Sequence, residues 1–301
     1  MIQQLFIRLF KALRRLFYNT PVRHWRVTAV VSAWLARKVA AKAGSEPVIE
    51  VNFQGMRLLV PTKDTMLTPS LMAGTYEAGM IGAFRDELRR LTAASAASGR
   101  ALRFADVGAN IGLYSVLAAQ QAAGAVRVDA FEPDPETASF LTRNLKLNGS
   151  AGDTVHQLAV GRTPGVATFD NASPQLACHH LAESGAKGIQ VTVTTLDIVF
   201  AEDPSSVKLI KIDVEGFEPD VLAGAATVIR MASPTIFMEF HPHTLGRKDY
   251  APADFLESLL NTFPSVAAVD EVTGKITPIP RAREQWPRDI LAVGANLILR
   301  F

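Results

Sequence analysis

The sequence predicts an α/β protein with a doubly wound, mostly parallel sheet of seven strands, and three observations lead to this prediction. From residue 102 onward, short apolar segments alternate with segments of helical period. A glycine loop follows the first apolar segment and opens the first of these helices. Acidic residues end several apolar segments, where an open α/β sheet places its ligands. The chain has 301 residues and is 48% hydrophobic, which suits one large domain with a small appendage.

The chain is expected to contain three parts. Residues 1–45 form a basic amphipathic arm, and residues 46–100 form a hairpin and a helix ahead of the sheet. Residues 101–301 form the ligand-binding α/β domain. The single cysteine, Cys178, excludes an internal disulfide and is expected to be an unreactive thiol.

The arm carries apolar residues at steps of three and four over residues 2–17, with basic residues mostly on the other face. This pattern is typical of a helix lying in a membrane interface, and the alternative is a helix that packs on its own domain or on a second subunit of a homo-oligomer. The next apolar stretch, of about ten residues, is too short to span a bilayer. We expect a cytoplasmic protein whose residues 1–20 contact the inner face of a membrane.

Charge is unevenly distributed along the chain. Residues 1–45 contain nine basic residues and no acidic one, and the whole chain carries +2, so residues 46–301 carry −7. A mildly acidic body argues against a nucleic-acid partner.

The elements follow from local patterns, in chain order. Residues 48–60 predict a hairpin that turns at Gln54-Gly55, and residues 61–75 have the composition of a loop. A helix is expected at 77–91 and a linker at 92–100. The remaining strands are expected at 102–107, 126–132, 154–160, 165–169, 190–194, 207–214 and 234–240, with helices at 112–121, 136–148, 218–225 and 252–262.

The chain is expected to end with antiparallel strands at one edge of the sheet. Residues 266–279 predict a hairpin that turns at Thr273-Gly274, and residues 290–299 predict a last strand.

The glycine loop, residues 104–112, predicts a nucleotide-type binding site. Gly108 permits a tight turn, and Gly112 lets the helix lie close to the strand or the ligand. Asp106 precedes the first glycine. A carboxylate there would repel the pyrophosphate of a dinucleotide, but it can pair with the ammonium group of S-adenosylmethionine.

The next strand ends with an acid at a similar place. Glu132 lies 24 residues after Gly108, close to the spacing at which such folds bind ribose hydroxyls. Asp134 is expected either to approach the adenosine or to cap the following helix. Capping is the structural alternative for Asp106 and Glu132 as well. The cofactor-binding residues expected from the sequence are Asp106, Gly108, Asn110, Gly112, Glu132 and Asp134.

A second acidic group follows the strand at 207–214. Asp213, Glu215 and Glu218 cluster where this strand should reach the carboxyl edge of the sheet. They suit a cation, a substrate or a proton-transfer role, or they cap the next helix. Glu239 and His241 alternate along the next strand and should point to one side. A divalent metal could use this set, but the spacing does not require one, and no metal ligand is assigned.

These residues together resemble a known family. Asp106-Val-Gly-Ala-Asn-Ile-Gly112, Phe131-Glu-Pro, Thr195-Leu-Asp197 and Lys211-Ile-Asp-Val-Glu-Gly-Phe-Glu218 resemble the FkbM-type methyltransferases over about residues 70–300. The resemblance implies the Rossmann-like class I methyltransferase fold and S-adenosylmethionine as methyl donor. It also implies methylation of a hydroxyl on a sugar, a polysaccharide or a related secondary product, so the expected partner is a small-molecule or glycan acceptor.

Deprotonation of an alcohol during methyl transfer needs a base. The candidates, in order, are Asp213, His241 and Glu239. Two other functions are kept as alternatives: an NAD-dependent oxidoreductase on a related fold, and a non-catalytic, membrane-associated adaptor that keeps the fold.

Overall fold

The computed structural model describes residues 48–301 except positions 62, 65, 123, 151, 174, 177, 178, 182–187 and 272. The arm at 1–45 and Cys178 lie outside the described residues, so the expectations about them stay predictions. The described residues form two compact units. One contains residues 48–76 with those described in 173–177, and the other contains the rest of the chain.

The first unit contains the predicted hairpin, made of β1 (Val48–Phe53) and β2 (Met56–Pro61). Gln54 and Gly55 both have positive φ, as a tight two-residue hairpin turn requires. The loop expected at 61–75 is wrong in part, because α1 (Leu67–Ala73) is a helix. The buried Asp64 carboxylate accepts hydrogen bonds from the Met66 and Leu67 amides at 2.8 and 2.7 Å and organises the start of this helix.

The second unit begins with a helix that is longer than expected. Helix α2 (Ala78–Ser98) includes the predicted 77–91 segment and continues through the segment expected to be a linker. The added residues are mostly Ala and Ser, which a helix tolerates, and Gly99 in the left-handed region ends it. The helix groups with the sheet rather than with the hairpin.

The sheet of this unit confirms the α/β fold class. Its strands are β3 (Leu102–Val107), β4 (Val126–Phe131), β5 (Thr154–His156), β10 (Val207–Ile212), β11 (Thr235–Phe240), β12 (Ser265–Val269), β13 (Ile276–Pro278) and β14 (Ala295–Arg300). Their spatial order is β5-β4-β3-β10-β11-β14-β12-β13. The first five strands in this order, β5, β4, β3, β10 and β11, are parallel. Strand β14 is antiparallel to both of its neighbours.

One detail of the expected sheet is wrong. Among the described residues it has eight strands rather than seven, because β13 adds an antiparallel edge. The antiparallel strands expected at one edge are confirmed as β14, β12 and β13, and the last strand, β14, lies between β11 and β12. The fully buried Leu297, Ile298 and Leu299 suit an interior position, since side chains on both faces of such a strand are covered.

Four further strands form a smaller sheet in the same unit. These are β6 (Ala159–Val160), β7 (Gly165–Asp170), β8 (His180–Leu181) and β9 (Ile189–Thr194), in the order β6-β9-β7-β8. The single strand expected at 154–160 is therefore divided between the two sheets, as β5 and β6.

Helices cover both faces of the large sheet, as a doubly wound fold requires. The helices of the second unit after α2 are α3 (Leu113–Gln121), α4 (Pro135–Leu147), α5 (Leu196–Val199), α6 (Glu218–Ala223), α7 (Ala226–Ala232), α8 (Pro242–Gly246) and α9 (Pro252–Thr262). On one face, Phe84 of α2 packs edge-on against Phe104 and Phe237. On the other, Ile210 and Ile212 join a core shared with α7 and α9.

The strand order reverses between β3 and β10. Strands β4 and β5 follow β3 to one side, while β10 and β11 lie on its other side. Ligands of open α/β sheets bind in the crevice outside the carboxyl ends of the strands at such a switch point. The glycine loop follows β3, and the second acidic group follows β10, so both lie at this position.

Candidate active site

The glycine loop is packed so closely that two of its positions exclude a side chain. Gly108 has φ +75°, and a Cβ there would lie 1.9 Å from the carbonyl oxygen of Asp213. Gly112 has φ +90°, and a Cβ there would lie 2.4 Å from Leu141 Cδ1. The Gly108 and Ala109 amides both donate to the Phe131 carbonyl, at 3.1 and 3.0 Å. The loop therefore lies between β4, β10 and α4 in one fixed path.

Asp106 ends β3 beneath this loop and is almost completely buried. Its Oδ2 accepts a hydrogen bond from Ser115 Oγ of α3 at 2.6 Å. Its Oδ1 is buried and has no hydrogen-bond partner among the described residues. Burial raises the pKa of this carboxyl, although the nearby Lys211 ammonium opposes the rise. A buried acceptor of this kind is costly alone and is satisfied by a cationic or hydrogen-bonding ligand.

Glu132 follows β4 and supports the glycine loop directly. Its Oε2 accepts from the Asn110 amide at 3.0 Å, and its Oε1 accepts from the Asp134 amide at 3.0 Å. Burial raises its pKa to about 8, against the effect of these two donors. Each carboxylate oxygen can accept more than one hydrogen bond, so Glu132 can also receive hydroxyl groups.

Asn110 and Asp134 have structural tasks. Asn110 has φ 52°, which asparagine tolerates better than most residues, and its Oδ1 accepts from the Ile111 amide at 2.8 Å. Asp134 is the N-cap of α4 and accepts from the Thr137 amide at 2.8 Å. Its Oδ2 accepts from Asn171 Nδ2 at 2.7 Å. The capping alternative for Asp134 is thus confirmed, and a cofactor contact by either residue stays a prediction.

Two acids of the second group, Asp213 and Glu215, meet after β10 as expected, and Glu239 of β11 joins them. Carboxyl oxygens of Asp213, Glu215 and Glu239 lie within 4.8 Å of one another. Glu215 has φ 54° and precedes Gly216 at φ 104°, so the backbone turns sharply here. The turn is held by Glu218, whose Oε1 accepts from the Val214 and Gly216 amides at 3.2 Å each.

Electrostatic repulsion within this cluster shifts its pKa values. The charge of Asp213, with burial, strongly raises the pKa of Glu239, whose carboxyl oxygen lies within 4.8 Å of that of Asp213. Burial and the charge of Asp213 raise the pKa of Glu215 to about 7. Burial also raises the pKa of Glu218 to about 7. At neutral pH the proton held by Asp213 and Glu239 together therefore lies on Glu239.

Lys211 belongs to the site, although the sequence predicted no role for it. Its Nζ donates to Asp213 Oδ2 at 2.8 Å, and its side chain is only 8% exposed. Burial opposes its charge, but the carboxylates of Asp213, Glu77 and Asp106 outweigh burial and raise the pKa of the ammonium. The available signal was a charged residue inside an otherwise apolar strand, since such residues are rarely buried without a partner.

His241 lies just after β11, at the N-cap of the short helix α8. Its Nδ1 is buried and finds no partner within the described part of the chain. Burial lowers the pKa of His241, with smaller effects from His243 and Arg247. The ring does not belong to the cluster of possible metal ligands formed by Asp213, Glu215 and Glu239, and the expectation that Glu239 and His241 point to one side stays a prediction.

The three clustered carboxyl groups are close enough for one divalent cation. The Lys211 ammonium already occupies one oxygen of Asp213 and supplies a counter-charge. We therefore assign no ion to the cluster.

The described helices do not include one long and apolar enough to cross a membrane.

The sheet order, the glycine loop and the acids at the ends of β3 and β4 define the fold class of the class I methyltransferases. A family model described as the methyltransferase FkbM domain matches residues 106–265, which is more than half of the chain. The chain belongs to this family, as the sequence motifs predicted.

Individual relatives are methyltransferases by name. Methyltransferase 1 of Beauveria bassiana is 31% identical over 141 residues, covering 40% of this chain and 56% of that protein. Hexuronic acid methyltransferase AglP of Haloferax volcanii is 31% identical over 140 residues, covering 45% of this chain and 54% of that protein. The chain thus spans about half the length of these curated relatives. The structure of the O-methyltransferase TomG of Streptomyces achromogenes with SAM is 14% identical, with a TM-score of 0.36 and coverages of 66% and 73%.

Proposed function

We propose that this protein transfers a methyl group from S-adenosylmethionine to a hydroxyl group of a sugar or related product. The observation that carries the proposal is Asp106, buried beneath the glycine loop with one oxygen unpartnered among the described residues. This oxygen can pair with the ammonium group of the cofactor, directly or through water. Glu132 can accept ribose hydroxyls while it keeps its backbone hydrogen bonds.

The donor supplies a methyl group already activated on a sulfonium centre. The tasks left to the protein are to align the acceptor oxygen, to exclude water and to accept a proton. Asp213 suits the last task best. Burial alone would raise its pKa, but Lys211 outweighs burial and holds the pKa of Asp213 below its ordinary value. His241 is the second candidate base, and Glu239 is the third because it holds the proton of the pair.

The name of one relative supports a sugar acceptor. The archaeal protein that is 31% identical is a hexuronic acid methyltransferase. A uronic acid glycoside is therefore the acceptor to test first. A uronic acid glycoside offers both hydroxyl and carboxylate oxygens as nucleophiles, so an alkali-stable ether product, rather than an alkali-labile methyl ester, identifies transfer to a hydroxyl.

Calorimetric titration with S-adenosylhomocysteine tests the cofactor. We expect micromolar binding by the wild type and binding at least about tenfold weaker in Glu132→Ala, because the variant loses hydrogen bonds to the glycine loop and to the ribose, each worth about 0.5–1.5 kcal/mol. Glu136→Ala is the matched control, since Glu136 is an exposed acid in the first turn of α4. Its loss should leave binding unchanged.

The other two functions predict different results. Binding of NAD in place of S-adenosylhomocysteine would support the oxidoreductase. Binding of S-adenosylhomocysteine without transfer of a labelled methyl group to p-nitrophenyl glucuronide, or to any other sugar in a panel, would support the adaptor. Either result would contradict the proposal.

A further inference from the structure

We propose that Lys211 is a positioning residue for methyl transfer, which anchors the Asp213 carboxylate and makes Asp213, not Glu239, the member of the pair that accepts the proton. This inference rests on the proposed function and goes beyond it by assigning a task to Lys211. It is carried by the position of Lys211 in the sheet, by its ion pair with Asp213 and by its contact with Tyr114.

The sheet register places Lys211 between the two halves of the site. Lys211 pairs in register with Asp106 on β3, so the two side chains lie on the same face. Asp213 follows Lys211 by two residues and lies on that face too. One ammonium group therefore stands between the carboxylate beneath the glycine loop and the carboxylate at the end of β10.

The ammonium is held in place from α3 as well. Its Nζ lies 4.9 Å from the centroid of the Tyr114 ring, a cation–π contact. The Tyr114 hydroxyl donates a hydrogen bond to Glu77, just before α2. With its side chain 8% exposed, Lys211 has little freedom to leave Asp213.

Lys211 makes the Asp213–Glu239 pair asymmetric. Two carboxyl groups whose oxygens lie within 4.8 Å cannot easily both be ionised, so the pair tends to hold one proton, and without another charge nearby neither group is strongly preferred. Lys211 bonds to Asp213 at 2.8 Å, which favours the ionised form of that residue. The proton then stays on Glu239, and the carboxylate of Asp213 keeps a defined position in which to receive the proton of an acceptor hydroxyl.

The surrounding charges agree with this assignment. The carboxyl groups whose charges interact with Asp213 are Asp106, Glu215, Glu218 and Glu239. Glu77 acts on Lys211, and Arg247 acts on Glu215. Among these charged residues, Lys211 is the cation that donates a hydrogen bond to Asp213. Its removal should therefore raise the pKa of Asp213.

The test compares Lys211→Met with Lys208→Met. Lys208 lies on the same strand and donates to the Ala232 carbonyl at 2.6 Å, away from the site. With labelled S-adenosylmethionine and p-nitrophenyl glucuronide, we expect Lys211→Met to lower kcat at least about a hundredfold, as loss of an effective base does. Its affinity for S-adenosylhomocysteine should stay within about threefold of wild type, and Lys208→Met should match wild type in both. The acid limb of the kcat profile should move to higher pH only in Lys211→Met.

Two further readouts separate positioning from stability. In a double-mutant cycle, Lys211→Met should add little to the loss caused by Asp213→Asn, because both changes act on one carboxylate. In a ¹³C NMR titration of protein labelled at aspartate Cγ, which needs no acceptor, Asp213 should titrate at higher pH in Lys211→Met than in wild type.

Three results would overturn the inference: wild-type kcat and acid limb in Lys211→Met, additive losses in the cycle, or loss of S-adenosylhomocysteine binding together with activity. An unchanged titration of Asp213 would also overturn it. Failure of the wild type itself to bind S-adenosylhomocysteine would instead contradict the proposed function, so the two failures are distinguishable.

Discussion

At the scale of single residues, Glu218 shows how a buried carboxyl group can organise a site at a cost in stability. Its Oε1 holds the turn at Val214 and Gly216, while its Oε2 is buried without a partner in the described residues. Burial raises its pKa from 4.5 to about 7. A carboxyl group whose pKa is higher in the folded state stabilises the fold less as the pH rises, since ionisation is easier after unfolding.

Glu218→Gln should therefore stabilise the protein at high pH. The amide oxygen can still accept both backbone hydrogen bonds, but the side chain carries no charge. Because one pKa unit corresponds to about 1.4 kcal/mol, we expect a gain of about 3 kcal/mol in the free energy of unfolding at pH 8 and less than about 1 kcal/mol at pH 5. Urea unfolding from pH 5 to pH 8 measures this.

The control is Glu257→Gln, which removes an exposed carboxyl group on α9. It should leave the pH dependence unchanged. A gain of equal size at every pH in Glu218→Gln would contradict burial of the charge as the cause.

At the scale of elements, the sequence predicted best where the signal was local. Strand β3, the glycine loop and α3 lie close to their expected positions, because an apolar run and two glycines specify them within a few residues. Helix α1 was missed because Pro69 and Gly74 suggested a loop, yet a proline is tolerated in the first turn of a helix. The end of α2 was missed because Ala and Ser give no amphipathic pattern.

Helix α4 allows the two interpretations of Asp134 to be separated. Asp134→Ala removes the N-cap and should cost about 1 kcal/mol of stability, whereas Asp134→Asn keeps a capping oxygen and should cost much less. Because the carboxylate of Asp134 is already engaged by Thr137 and Asn171, neither change should weaken binding of S-adenosylhomocysteine more than about threefold. Thermal unfolding and calorimetry measure the two effects.

A different outcome would restore the cofactor role of Asp134. If Asp134→Asn keeps its stability but binds S-adenosylhomocysteine at least about tenfold more weakly, the carboxylate contacts the cofactor and capping is not its only task.

At the scale of the whole molecule, the site depends on pairing between distant segments. Lys211 and Asp106 are 105 positions apart in the chain and are neighbours because β10 pairs with β3. Residue types and spacing identified Asp106, Asp213 and Glu239, but no local pattern specifies which strands pair or in which register. The same limit explains the missed role of Lys211, whose neighbours come from the end of β3, α3, the residue before α2 and the turn after β10.

The position of β14 provides a test at this scale. The sequence predicted antiparallel strands at one edge of the sheet but did not specify the neighbours of the last strand. In the structure β14 bonds to β11 on one side and to β12 on the other, and it buries Leu297, Ile298 and Leu299 completely. Burial of three such side chains is worth about 5–9 kcal/mol, comparable with the whole stability of about 5–15 kcal/mol of an ordinary domain.

Deletion of residues 295–301 should therefore abolish cooperative unfolding and binding of S-adenosylhomocysteine, although neither the glycine loop nor Asp213 belongs to the deleted segment. Deletion of Phe301 alone is the control, because this residue is half exposed and follows the strand. Circular dichroism during urea unfolding, with calorimetry, measures both variants. If the longer deletion kept a cooperative transition and bound the ligand, β14 would be dispensable, and the remaining strands would form a stable sheet without the pairing that joins β11 to β12.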